Sequence, residues 1–106
     1  PKLNYGLGVA KYTGSRGKSG ASDASAELVA RVRNMFDNAG VLWQMAPLGA
    51  VDAGGGGTIA GITAQRNIDT IDAGVPVLSM HAPYEIISKV DNYMSYKGML
   101  AVFNEK

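Results

Sequence analysis

The sequence has no cysteine and only one histidine, His81. Without cysteine there is no disulfide and no thiolate metal site, and the composition suits a reducing compartment such as the cytoplasm. A protein zinc site takes about three or four nitrogen, oxygen or sulfur ligands, so a lone histidine cannot build one unaided. An excess of charge is also missing. Ten Lys and Arg are scattered among nine Asp and Glu, giving a formal net charge of +1. That balance argues against a basic nucleic-acid surface. No apolar run approaches the roughly 20 residues of a membrane span, and the opening residues carry no signal-peptide pattern.

What is present fits a globular α/β protein. The 106 residues are 46% hydrophobic, enough for one domain or one large piece of a domain. The chain begins with Pro1 rather than Met, and every glycine except Gly74 and Gly98 falls at or before Gly61. Each ordered glycine carries a large backbone entropy cost, and a domain this small buries only a modest share of its surface. A front half so rich in glycine needs support from elsewhere, so the expectation is a fragment.

Residues 6–12 (GLGVAKY) read as a strand, and residues 13–22 (TGSRGKSGAS) as a polar loop carrying Arg16 and Lys18. A helix is expected from Asp23, capped by Ser22 or Asp23 and favoured by Glu27 near its positive end. Leu28, Val32, Met35, Phe36 and Ala39 recur at helical spacing and mark a buried face, with Arg31, Arg33 and Asp37 toward solvent. Gly40 is placed to end that helix in the left-handed cap position. Residues 41–46 (VLWQMA) read as a short buried strand. Residues 58–66 read as a helix with Ile59 and Ile62 inward. Residues 70–80 suit one interrupted strand or two short ones, and residues 84–104 a long amphipathic helix. Alternation of strand and helix implies a mixed sheet flanked by helices.

Two segments invite chemistry. Asp52–Thr58 (DAGGGGT) could bring free backbone N–H groups close to a ligand or an anion, or could be only a tight turn. It lacks the lysine of a Walker loop and the pattern of a dinucleotide turn. His81 ends the strand-like run of residues 75–81, where α/β folds place their functional groups. With Glu85 it forms an i, i+4 pair able to share a metal if the helix already begins at His81. The plainer reading is a partly buried histidine and a first-turn glutamate favoured by the helix dipole. Lys11, Arg16 and Lys18 bracket the polar loop and could bind a carboxylate or simply be solvated. Tyr93 and Tyr96 read as packing residues with polar tips.

The order of segments adds information. KYTGSRGKSGASDA, then VDAGGGGTIA, then RNIDTIDAGVPVLSMHAPYEIISKVDNYMSYK resembles the C-terminal end of the aspartyl aminopeptidase and vacuolar aminopeptidase I family of zinc peptidases. The likeness runs from Gly8 to Glu105. It implies that residues 1–106 are the C-terminal portion of a zinc-exopeptidase catalytic domain. The parent enzyme would use two zinc ions and metal-activated water to remove N-terminal residues from peptides. His81 matches the last metal ligand of the family. Lys11 is the best match to a substrate-contacting lysine, and Gly54, Gly55, Gly56 and Gly57 are expected to line the substrate cleft. Lys18 falls where eukaryotic relatives have a tyrosine.

The family's other ligands and its glutamate base have no counterpart here, and Asp52 and Asp72 do not match the ligand motifs by context. The resemblance therefore implies that the remainder of the parent polypeptide is a partner, that the fragment alone is inactive, and that the parent is a cytoplasmic homo-oligomer, mostly dodecameric among relatives. The alternative is a non-enzymatic module that binds an anion or a peptide, or serves in assembly.

Overall fold

The computed structural model describes residues 1–13, 22–46 and 58–105. Three strands form the central sheet: β1 (Leu7–Ala10), β4 (Trp43–Met45) and β5 (Asp72–Gly74), in the order β4-β1-β5. β1 and β4 are parallel, pairing Leu7 with Trp43 and Val9 with Met45. β5 runs antiparallel, with Gly74 opposite Gly8 and Asp72 opposite Ala10. Two small ladders flank this sheet, β2 (Tyr12–Thr13) with β3 (Ser22–Asp23) and β6 (Val77–Leu78) with β7 (Ile86–Ile87). The helices are α1 (Ala26–Asn38), α2 (Thr58–Gln65) and α3 (Lys89–Phe103). This is the mixed-sheet α/β class that the sequence pattern implied.

The core follows from the alternation in β1 and the helical spacing in α1. Leu7 and Val9 point to one face of the sheet and meet Val32, Phe36 and Val41, all buried. Leu28, Met35, Trp43, Ile71 and Ala101 close around them. α3 approaches because Gly98 has no side chain: a Cβ there would lie 2.8 Å from Leu7 Cδ2 and 3.5 Å from Phe36 Cε1.

α1 begins three residues later than the sequence suggested. Its cap is Ser25, whose Oγ accepts the Leu28 N–H at 3.1 Å, while Ser22 and Asp23 are drawn into the β2–β3 ladder. Its C-terminus behaves as expected. Gly40 is left-handed (φ 65°), with Gly40 N–H donated to Asp37 O (3.2 Å) and Val41 N–H to Phe36 O (2.9 Å). That double closure satisfies carbonyls the helix leaves open.

Three other expectations need correction. Ile59 and Ile62 do not face inward but are 74% and 58% exposed. α2 instead turns its small residues, Ala60 and Gly61, toward the protein. The last helix starts at Lys89, not at Tyr84, because Ile86 and Ile87 pair with Leu78 and Val77 as a strand. Ser88 then caps α3. Tyr93 and Tyr96 are mostly exposed, with ring centroids 6.2 Å apart, and are not core residues. Among the described residues no helix is long and apolar enough to cross a membrane.

Candidate functional site

The carboxyl ends of the two parallel strands lie together. β1 ends at Ala10, next to Lys11, and β4 ends at Met45, next to Ala46, from which the chain enters residues 47–57. In open α/β sheets ligands gather beyond such ends. A groove of about 390 Å³ passes here, lined by Gly8, Ala10, Ala46, Asp72, Val77 and Met80, among others. Its walls thus include the neighbours of Lys11 and of His81, and the residue from which the chain leaves toward Gly54. A larger groove of about 760 Å³, between α1 and α3, contains none of the candidate residues among those described.

His81 is not at a strand end as the sequence suggested. β6 stops at Leu78, and His81 lies in the exposed loop that joins β6 to β7. Pro83 and the two-residue strand that follows prevent a helix here, so His81 and Glu85 are not one helical turn apart on a common face. The loop is tightly wound. Ser79 (φ 60°) and His81 (φ 69°) both adopt the left-handed region, which costs a residue with a side chain on the order of 1–3 kcal/mol. Two hydrogen bonds hold this shape: Ala82 N–H to Ser79 O (3.0 Å) and His81 N–H to Glu85 Oε1 (2.6 Å). The carboxylate of Glu85 therefore caps the backbone of the very residue whose imidazole is the candidate ligand. The sequence holds a weak signal for this pairing, the four-residue spacing of His81 and Glu85, but the helical reading assigned it to the side chains.

Lys11 lies between β1 and β2, and its ammonium pairs with the Asp23 carboxylate of β3. The two side chains are 36% and 69% exposed. Pairs so open to water contribute little, so the ammonium is tethered loosely. Gly54, Gly55, Gly56 and Gly57, together with Arg16, Lys18 and Asp52, lie outside the described residues. Asp72 is exposed on β5. Arg31, on α1, has its guanidinium raised above its ordinary value by the hydrogen bond to Glu105 at 2.9 Å and by that carboxylate's charge.

A zinc ion suits a histidine nitrogen presented on an exposed loop. The donor set is nonetheless partial. Among the described residues, no group of three His, Cys, Asp or Glu is gathered closely enough to hold a metal. His81 offers one such nitrogen among them, which by itself is short of a zinc site's roughly three or four ligands.

Comparison with known proteins bears on the family of the chain. A crystal structure of an M18-family aminopeptidase from Thermotoga maritima superposes with a TM-score of 0.89 at 50% identity, covering 100% of this chain and 24% of that one. The aminopeptidase I structure from Clostridium acetobutylicum gives 0.85 at 50% identity, covering 97% and 23%. By sequence, the probable M18 family aminopeptidase 1 of Thermotoga maritima is 52% identical over 103 residues, 94% of this chain and 23% of its own length. The chain thus spans about a quarter of the length of the relatives it matches. Residues 1–103 match the sequence model of the Aminopeptidase I zinc metalloproteases (M18), and the chain belongs to that family.

Proposed function

We propose that residues 1–106 are the C-terminal portion of the catalytic domain of a dinuclear zinc aminopeptidase, which removes N-terminal residues from peptides. The observation that carries this reading is the exposed His81 loop beside a groove lined by Met80, by Ala10, the neighbour of Lys11, and by Ala46, the last described residue before residues 47–57. When bound, the two zinc ions supply the Lewis acidity that polarises a scissile carbonyl and activates water.

The residues of this chain have narrower tasks. His81 holds one metal through its imidazole, and the left-handed loop fixes the direction from which that nitrogen approaches. Lys11 supplies a positive charge to the substrate from the end of β1. Gly54, Gly55, Gly56 and Gly57 line the cleft, where the absence of side chains lets a peptide come near the backbone. The other metal ligands and the proton-transferring base come from the remainder of the parent polypeptide. Homo-oligomeric assembly and a cytoplasmic location belong to the same reading and rest on the family resemblance.

The test uses the complete polypeptide that carries this segment. His81→Ala is expected to lower bound zinc and to remove most peptidase activity, whereas the 106 residues alone hydrolyse no aminoacyl substrate. Native zinc content with native turnover in His81→Ala overturns the assignment.

A further inference from the structure

The loop between β6 and β7 contains one contact that a simple connection does not require. Glu85 lies at the foot of the loop, immediately before β7, yet its Oε1 reaches back to the amide of His81 at 2.6 Å. The residue so held is itself left-handed, as is Ser79 two positions earlier. Neither is a glycine, so local preference alone pulls both toward the ordinary right-handed or extended regions. Both Glu85 and His81 are exposed among these 106 residues, so within this chain the loop's own hydrogen bonds hold the conformation. The one from Glu85 is charge-assisted and short, the stronger kind.

We propose that Glu85 is a positioning residue for His81: its carboxylate clamps the His81 amide, locks the left-handed backbone and so fixes where the imidazole points. This deepens the proposed function and rests on His81 being a metal ligand. Residues that orient a ligand are usually found bonded to the far nitrogen of the imidazole. Here the orientation is imposed through the main chain, one bond before the side chain begins. The contact seen here is from Oε1 to the main chain of His81, so in this device Glu85 acts through His81, and variants at Glu85 and Ser79 separate that role from direct ligation through the second carboxylate oxygen. Ser79 belongs to the same device, because its left-handed turn brings its carbonyl to the Ala82 amide at 3.0 Å.

The experiment measures zinc affinity, by competition with a chromophoric chelator, in the complete polypeptide and its variants. Removing the clamp in Glu85→Ala is expected to weaken zinc binding by about 10- to 100-fold, the usual effect of losing a group that orients a ligand. Glu85→Gln keeps an acceptor oxygen at the same reach and is expected to stay within a few-fold of the native protein. Adding Ser79→Gly to Glu85→Ala relieves the left-handed cost and is expected to recover part of the lost affinity. A direct ligand role for Glu85 predicts the opposite pattern, with Glu85→Gln falling as far as Glu85→Ala and no rescue by Ser79→Gly, and this result overturns the clamp. Native affinity in Glu85→Ala, with zinc lost in His81→Ala, overturns the clamp alone. Native zinc content in His81→Ala overturns the ligand assignment beneath it.

Discussion

Gly6 donates its backbone N–H to Asp91 Oδ1 at 2.8 Å, joining residues 85 positions apart. The other oxygen of the same carboxylate accepts the Asn4 N–H, also at 2.8 Å. Asp91 is fully buried in the first turn of α3, where the helix dipole favours a negative charge. Ser88, the cap of that helix, donates its hydroxyl to the Asn4 side chain. The entrance to β1 is therefore bolted to the start of α3, which the two residues of β7 separate from the loop that carries His81.

Removing the carboxylate leaves two amides without their acceptor. Hydrogen bonds to a charged group are worth about 1.5–3 kcal/mol each, so Asp91→Ala is expected to destabilise the fold by about 3 kcal/mol or more. Asp91→Asn keeps one acceptor oxygen but turns an NH2 toward the second amide, and is expected to lose about half as much. Urea unfolding read at Trp43, the single tryptophan, measures both. A loss under about 1 kcal/mol in Asp91→Ala would show that water replaces the carboxylate freely.

Gly98 sets up a contest between helix propensity and packing. Alanine in a helix interior gains about 1 kcal/mol over glycine. Its Cβ, however, would meet Leu7 Cδ2 at 2.8 Å, and Leu7 is only 4% exposed, inside the core. Overpacking of this kind costs about 1–3 kcal/mol, so packing is expected to win and Gly98→Ala to lower the unfolding midpoint. Gly98→Val, bulkier and poorer in a helix, is expected to fall further. A more stable Gly98→Ala would mean that Leu7 swings aside.

Arg31 is expected to lend no pH dependence to stability over about pH 6 to 9, since an arginine titrates far above that range. Its pairing with Glu105 raises the guanidinium still higher. A group raised on folding contributes stability that is complete below its unfolded value and lost only as pH climbs through the folded one. Arg31→Gln should therefore shift the pH–stability curve by the same small amount throughout that range. A change in its shape would assign Arg31 a coupling that its exposed position does not suggest.

The sequence revealed the fold where periodicity and caps act locally. Val32 and Phe36 at helical spacing, Gly40 as a left-handed stop and a short strand around Trp43 all follow from neighbours in the chain, but that strand is not buried as expected: Trp43 and Gln44 are half-buried and Met45 is 43% exposed. It failed where distant pairing decided the outcome. Ile86 and Ile87 fit a helical face as well as a strand, and only their partners Val77 and Leu78 choose between the two. Ile59 and Ile62 failed for a different reason: hydrophobicity shows which residues suit burial, not what polypeptide would cover them. Much of α3 behaves likewise, with Phe103 79% exposed. The relation between Glu85 and His81 was half legible, because the spacing was visible while the atom it served was not.

Lys11 yields a kinetic prediction. Its ammonium is paired with Asp23, but both groups are open to solvent, and such a pair holds its partners by roughly 0–1 kcal/mol. A substrate group entering the cleft can therefore draw the lysine away. In the complete polypeptide, Lys11→Met is expected to raise KM with a smaller change in kcat, the pattern for a contact made equally in ground and transition states. Asp23→Asn, which frees the ammonium, should leave KM within about five-fold, the factor that corresponds to a pair worth at most about 1 kcal/mol. Unchanged KM in Lys11→Met would remove the residue from the substrate path.

Removal of the metal should be felt first at the His81 loop. The core cluster of Leu7, Val9, Val32, Phe36 and Val41 includes no residue of β6, β7 or the loop between them, so the loss of a ligand bond has no direct packing route to it. The loop has two left-handed residues and only short hydrogen bonds to keep its shape, which places it among the segments that open locally at low cost. Chelation of zinc from the complete polypeptide is therefore expected to speed amide exchange across Ser79–Glu85 at short labelling times, while Leu7, Val9 and Phe36 stay protected. On the proposed assignment of His81 as a metal ligand, the effect should be smaller in His81→Ala. Equal deprotection of the core and the loop would show that zinc holds the whole domain together, and would remove the mechanical independence assigned to this loop.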